Sequence, residues 1–190
     1  MLIRSSPVGV VELWVCRWPL LVRSLPILLC VGICNGAFSQ ESPNLGVLAD
    51  PEEVAAWDID IGPDGAGLPP GAGTAAEGEA VYAIQCLTCH GPEGSGQLND
   101  VLVGGHGSLT EPAPVRTIGS FWPYATTIFD YVRRAMPYLT PRMLSDDEVY
   151  ALTAYLLYLN EIIAEDEVMD AQTLPAVVMP NRENFILAYP

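Results

Sequence analysis

The sequence of 190 residues contains no lysine, and its eight basic residues are arginines that stand against 23 acidic residues. The formal net charge at pH 7 is therefore −15. A surface of this sign repels nucleic acids and anionic lipids, because both are negatively charged. The composition excludes nucleic-acid binding. It leaves two interpretations open: attraction of a basic partner at long range, or a charge that only keeps the protein soluble.

Histidine and cysteine are scarce as well. Residues 86–90 read Cys-Leu-Thr-Cys-His, and the only other histidine in the sequence is His106. Two thiols separated by two residues can form thioethers to the vinyl groups of a porphyrin, and the adjoining histidine then binds the iron. The motif predicts one covalently attached haem c on Cys86 and Cys89, with His90 as the proximal ligand. A disulfide and half of a zinc site remain alternatives, although a zinc site needs a second pair of ligands.

The start of the chain lacks a hydrophobic run long enough to span a bilayer. The run at 25–34 has ten residues, whereas a span requires about 20. Three arginines precede it, and Ala37-Phe38-Ser39 places small residues at the two positions that determine cleavage. We expect residues 1–39 to be a cleaved signal peptide, with a periplasmic mature chain that starts near Gln40 and has no stable membrane span. Retention as a membrane anchor is the alternative. The arginines are Arg4, Arg17 and Arg23.

Cleavage would leave only Cys86 and Cys89 in the mature chain, because the other three cysteines lie in the leader. Haem attachment would use both thiols, so that neither a free thiol nor a disulfide would remain in an oxidising compartment. The mature chain would carry five basic and 22 acidic residues, a net charge of −17.

Two segments are too poor in core residues to fold by themselves. Residues 40–73 form a Pro/Gly-rich N-terminal arm, and residues 166–190 form a tail in which prolines and polar residues recur. Within the arm, Trp57–Ile61 alternates apolar and acidic residues, which predicts a short strand. We expect both segments to be extended and to lie on a partner protein.

Residues 74–165 carry the helix signals of a single all-α domain. A capping box at Thr74 and Glu77 predicts a helix that runs to about Gln85 and delivers Cys86 to the haem. The glycine inside this helix, Gly78, costs about 1 kcal/mol relative to alanine, so we expect a packing reason for it.

Two more helices are predicted in this domain. One opens within residues 121–127 and ends near Arg134, with apolar residues facing inward at helical spacing. The other begins with a second capping box, at Ser145 and Glu148, and runs to about Asn160. In the helix that ends near Arg134, the residues expected to face inward are Ile128, Tyr131 and Val132.

A haem iron that only transfers electrons needs a second axial ligand. A thioether suits this role because it stabilises ferrous iron and raises the reduction potential. Met136 is the best placed, since it follows a helix end, precedes Pro137 and lies 46 residues after His90. We also expect the Pro92 region to offer a carbonyl to the outer nitrogen of His90. The other candidates are Met143, Met169, Met179 and His106, or an open position, which would indicate a catalyst rather than a carrier.

The order of these elements resembles a class I cytochrome c: helix, Cys-X-X-Cys-His, irregular loop, helix, Met-Pro and C-terminal helix, over roughly residues 74–163. The resemblance implies three main helices around one covalently bound haem, with Cys86, Cys89, His90 and Met136 binding it. It also implies that Gly78 and Tyr155 form the contact between the first and last helices.

A closer resemblance lies in three stretches: Gly-Ser-Phe-Trp-Pro-Tyr-Ala-Thr-Thr at 119–127, Phe-Asp-Tyr with Arg-Arg-Ala-Met-Pro at 129–137, and Met-Pro-Asn-Arg at 179–182. These are similar to the cytochrome c subunits of bacterial sulfite and sulfur dehydrogenases. Some members carry two haems on a longer chain, whereas this sequence has one haem-binding motif.

The resemblance implies a non-catalytic electron-transfer subunit. Its electron donor would be a molybdenum-containing catalytic subunit that oxidises sulfite or a bound sulfur species. Its acceptor would be a downstream carrier such as another cytochrome c, leading to the respiratory chain. The alternatives are a diffusible periplasmic carrier for another dehydrogenase and a haem enzyme or sensor with an open iron position.

Overall fold

The computed structural model describes residues 45–186 and residue 188. The predicted signal peptide and cleavage site therefore lie outside the described residues. The described residues from Pro51 onwards form one compact unit, and residues 45–50 contain neither helix nor strand. None of the helices within the described ranges combines the length and the apolarity that a membrane span requires.

The all-α prediction is confirmed, with one small two-stranded sheet added. The main helices are α2 (Ala75–Gln85), α5 (Ala125–Ala135) and α6 (Asp146–Leu159). Shorter elements connect them: α1 (Pro51–Trp57), β1 (Ala72–Thr74), α3 (Leu87–His90), α4 (Ile118–Phe121) and β2 (Val168–Asp170), with 3-10 turns at Pro92–Gly94, Ser108–Thr110, Leu174–Ala176 and Arg182–Asn184.

Both predicted capping boxes are confirmed. The Thr74 hydroxyl accepts the Glu77 amide, while the Glu77 carboxylate accepts the Thr74 amide at 2.9 Å. Ser145 and Glu148 repeat this exchange at the start of α6, where the carboxylate accepts the Ser145 amide at 2.8 Å. Each box satisfies backbone donors that have no partner within the helix, which fixes where α2 and α6 begin.

Helices α2 and α6 cross at very short range because of two glycines. A methyl group added at Gly78 would overlap the Ala151 carbonyl and lie 2.7 Å from Cβ of Tyr155. A methyl group at Gly73 would overlap the backbone of Ala151 in the same way. The expected contact between Gly78 and Tyr155 is therefore confirmed, and it supplies the packing reason for a glycine inside a helix.

Helix α5 packs against helix α6 through aromatic and aliphatic side chains. The rings of Phe129 and Tyr150 lie 4.4 Å apart, and both side chains are fully buried. Ile128 and Val132 face inward as predicted. The prediction for Tyr131 is wrong, because 48% of this side chain is exposed while its ring stands edge-on to Trp122.

The C-terminal tail differs from the extended arm that the sequence predicts. Strand β2 pairs antiparallel with β1, with Gly73 opposite Met169. Met169, Leu174 and Met179 are buried in the core at no more than 2% exposure. These apolar residues stand five apart between polar residues and prolines, so they match neither helical nor strand periodicity. The tail thus contributes to the core of the domain itself.

The predicted strand at Trp57–Ile61 is wrong. The chain instead forms helix α1, which starts with a proline at its first position and has two glutamates in its first turn. These residues suit a helix N-terminus, because the proline needs no hydrogen-bonding partner there and the carboxylates complement the helix dipole. Residues 58–61 follow without regular structure.

Replacement of Gly78 by alanine tests the helix crossing. The added methyl cannot be accommodated unless α2 and α6 move apart, which outweighs the gain of about 1 kcal/mol in helix propensity. We expect a net loss of about 2 kcal/mol in the free energy of unfolding of the haem-loaded protein, measured by denaturant titration. The neighbouring exposed Glu79→Ala should change it by less than about 0.5 kcal/mol. Equal stability of Gly78→Ala and the native protein would contradict the packing argument.

Candidate functional site

The Cys-X-X-Cys-His segment lies at the end of α2 and continues into the single turn of α3. The Cys86 amide donates to the Tyr82 carbonyl at 2.9 Å, and the Cys89 and His90 amides donate to the Cys86 carbonyl at 3.1 and 3.0 Å. Residues three apart in such a turn project from one face. Both thiols are free and half-buried. The local fold therefore presents the two thiols from adjacent positions of one turn.

Cys86 sits in an apolar environment. It packs against the hydrophobic core, and burial raises the pKa of its thiol to about 11, with the nearby Cys89 adding to the shift. Such surroundings suit the edge of a porphyrin better than they suit a charged thiolate. Within the part of the chain that the structure describes, no group of three or more His, Cys, Asp or Glu side chains is arranged to hold a metal ion.

The orientation of the His90 ring is fixed by a backbone carbonyl. Nδ1 lies 2.9 Å from the carbonyl oxygen of Asp100. A carbonyl can only accept, so Nδ1 carries the hydrogen and Nε2 keeps a lone pair that is free to bind iron. The predicted acceptor near Pro92 is wrong, since the acceptor lies ten residues after the histidine.

The loop at 91–102 places this acceptor by folding back on the motif. The Gly96 amide donates to the His90 carbonyl at 2.7 Å, and the Asn99 amide donates to the Cys89 carbonyl at 2.9 Å. Gly91, with φ of 75°, lets the chain reverse directly after the histidine. These bonds hold Asp100 against the imidazole.

Tyr82 connects the site to the helix crossing. Its hydroxyl donates to the Gly91 carbonyl at 2.8 Å, and its ring packs 5.4 Å from that of Tyr155 on α6. Burial raises the pKa of Tyr82 to about 12, so the hydroxyl stays protonated and donates throughout the physiological range. The residue thus couples the packing of α2 on α6 to the turn after His90.

Met136 lies directly after α5, where its amide donates to the Val132 carbonyl at 3.0 Å. Its side chain is half-buried and packs against the core. Its helix carries an ion pair between Asp130 and Arg134. Met136 therefore occupies the end of a fixed helix, the position that the sequence indicates for an axial ligand.

The other candidate ligands lie in less suitable places. Met169 and Met179 are buried in the core at 2% and 1% exposure. Met143 is 52% exposed, and its sulfur accepts a hydrogen bond from the Thr140 hydroxyl at 2.9 Å. His106 is exposed. Met136 differs from these side chains in being half-buried at the end of a helix.

Asn160, which the sequence predicts only as the approximate end of a helix, anchors the loop that follows the Cys-X-X-Cys-His motif. Its amide group donates to the carbonyls of Leu156 and Leu102 at 2.8 and 3.3 Å, and its oxygen accepts the Gly104 amide at 3.1 Å. The side chain therefore ties the loop after the haem motif to the end of α6. An asparagine at a helix C-terminus is the signal that could have indicated it.

These residues fit a haem as a donor set. Two free thiols lie one turn apart, one imidazole nitrogen has its lone pair available, and one thioether lies at a fixed helix end. Thioether, imidazole and thiol chemistry of this kind is what a c-type haem requires from a protein.

Comparisons with known proteins bear on the family of this chain. The family described as cytochrome C oxidase, cbb3-type, subunit III matches residues 73–156. The crystal structure of the sulfane dehydrogenase SoxCD from Paracoccus pantotrophus matches with 48% sequence identity and a TM-score of 0.70, covering 76% of this chain and 72% of that chain. Among curated proteins, none matches significantly.

The haem-binding motif, the helix order and the match to a sulfane dehydrogenase structure agree with one another. The chain belongs to the class I cytochrome c family, resembles the cytochrome c subunits of bacterial sulfite and sulfur dehydrogenases, and has an electron-transfer role through haem c.

Proposed function

We propose that this protein is a monohaem cytochrome c that serves as the electron-transfer subunit of a molybdenum-containing sulfite or sulfur dehydrogenase. It accepts electrons from the catalytic subunit and passes them towards the respiratory chain through a carrier such as another cytochrome c. The observation that carries this proposal is the 48% identity to the sulfane dehydrogenase SoxCD structure over 76% of the chain. The proposed location is the periplasm, after removal of residues 1–39.

Four residues bind the cofactor in this proposal. Cys86 and Cys89 tether one haem through thioethers, and His90 binds the iron through Nε2 while Asp100 holds its Nδ1 hydrogen. Met136 would bind the iron through its sulfur. When bound, the haem iron supplies one-electron redox chemistry, and the soft thioether favours its ferrous form.

Catalysis belongs to the partner subunit in this proposal. Oxidation of sulfite or of a bound sulfur atom by oxygen-atom transfer removes two electrons, whereas a single haem accepts one at a time. Each oxygen atom transferred would therefore require two successive one-electron transfers to this chain. The role of this chain is to hold the haem at a suitable potential and to dock on both its donor and its acceptor.

Replacement of Met136 by leucine tests the axial ligand. Leucine keeps the volume and apolarity of the side chain but removes the sulfur. We expect the near-infrared charge-transfer band between methionine and ferric iron to disappear, and the ferrous protein to bind carbon monoxide readily. Absorption spectra of both oxidation states give the measurement.

Met143→Leu is the matched control, because the same change at the exposed methionine leaves the proposed ligand intact. This variant should keep the band and resist carbon monoxide. A band that survives in Met136→Leu, or that is lost in Met143→Leu, would show that the ligand is assigned to the wrong residue. Absence of the charge-transfer band from the native ferric protein would favour the alternative of a haem enzyme or sensor.

Electron transfer from the proposed donor tests the function itself. The oxidised chain should form a complex with the purified molybdenum-containing catalytic subunit. In that complex the haem should be reduced when sulfite or the sulfur substrate is added, in stopped-flow absorption at the haem bands. Omission of the catalytic subunit is the control. A haem that stays oxidised in the complete mixture would refute the proposal.

A further inference from the structure

Helix α1 exposes large apolar side chains that no other described residue covers. None of its residues is buried. Trp57 is 82% exposed and Val54 is 51% exposed. They stand three residues apart in the helix and therefore share one face. Tryptophan is one of the residue types enriched among the dominant contacts of protein interfaces, so this exposed face needs an explanation.

The segment is attached to the domain at its C-terminal end. Ile61 is buried at 8% exposure, and its amide donates to a carboxylate oxygen of Asp130 at 3.3 Å. Asp130 also pairs with Arg134 on the same helix, α5, after which Met136 follows. Residues 51–60, which we call the docking segment, thus extend from a point fixed to the helix of the proposed axial ligand.

The docking segment is acidic as well as apolar. It contains four carboxylates and no basic residue. Asp58 directly follows the tryptophan and Asp60 lies two residues further on; a hydrogen bond between them together with their repulsion raises the pKa of Asp58. Basic groups supplied from outside would relieve this repulsion. The partner surface that fits is therefore an apolar pocket with basic residues at its rim.

Charge argues against two other occupants. An anionic lipid surface repels a segment that carries four carboxylates. A second copy of the same segment repels it for the same reason, and the chain as a whole carries a net charge of −15. The C-terminal tail also exposes apolar side chains, with Val178 at 73% and Ile186 at 90% exposure, but the tail is held by its own domain, in which Met169, Leu174 and Met179 are buried.

We propose that residues 51–60 dock on the catalytic subunit, with Trp57 inserted into an apolar pocket of that subunit and with Asp58 and Asp60 facing basic residues at the rim. This inference rests on the proposed function and specifies which part of the chain holds the partner. The inference assigns binding to the docking segment alone, whereas the sequence predicts that both the N-terminal arm and the C-terminal tail lie on the partner.

The test compares variants of the haem-loaded mature chain in binding to the purified molybdenum-containing catalytic subunit, by calorimetry at low and high salt. Trp57→Ala should weaken binding by about tenfold or more at both salt concentrations. Asp58→Asn with Asp60→Asn should weaken binding at low salt, with a smaller effect at high salt, because salt screens the attraction. Val178→Ala, at a side chain that is 73% exposed in the tail, is the control and should bind like the native chain.

The outcomes separate this inference from the proposed function. If the native chain binds and is reduced by the catalytic subunit while Trp57→Ala binds equally well, the inference is overturned and the proposed function stands. If the native chain neither binds nor is reduced, both are overturned. Two further outcomes would overturn the inference. One is that the isolated chain dimerises and Trp57→Ala does not; the other is that the chain binds vesicles of anionic phospholipid and Trp57→Ala does not.

Discussion

The close crossing of α2 and α6 is the constraint on which the site depends. Gly73 and Gly78 let α2 and its preceding strand approach the backbone of Ala151, where any larger residue would overlap it. This approach brings the rings of Tyr82 and Tyr155 together. The Tyr82 hydroxyl then holds the carbonyl of Gly91, the residue directly after the proposed proximal ligand. Packing in the core is thus transmitted to the haem-binding turn through one side chain.

A second set of hydrogen bonds completes the site from the loop. The backbone folds back on the motif so that the carbonyl of Asp100 meets Nδ1 of His90. Asn160 fixes the following stretch to the end of α6 through the backbone of Leu102 and Gly104. The imidazole is therefore oriented before any cofactor binds, which reduces the cost of ordering it on ligation.

The sequence predicts the parts of this fold that depend on local signals. The capping boxes at Thr74 and Ser145 act within four residues, so the starts of α2 and α6 are correct. The acceptor for His90 is missed because it depends on how a glycine-rich loop closes. Met169, Leu174 and Met179 are missed as core residues because each is buried singly and shows no periodicity. The position of Met136 at a helix end is predicted, while its ligation remains a proposal.

The two chain extensions differ in physical character. The tail buries apolar residues against the domain and pairs with it through β2. The segment before Ile61 exposes a tryptophan and adds carboxylates to an already acidic protein. A long-range field of this sign accelerates association with a basic surface, and a compact apolar contact then keeps the complex together. Speed of encounter and strength of binding can therefore come from the same short segment.

Mass spectrometry of the purified protein, under denaturing conditions that remove any non-covalent cofactor, tests the central claim most directly. The account predicts a mass increased by one haem, retained on a peptide that contains Cys86 and Cys89. A protein that carries no added haem, or one whose added mass lies on another peptide, would contradict it.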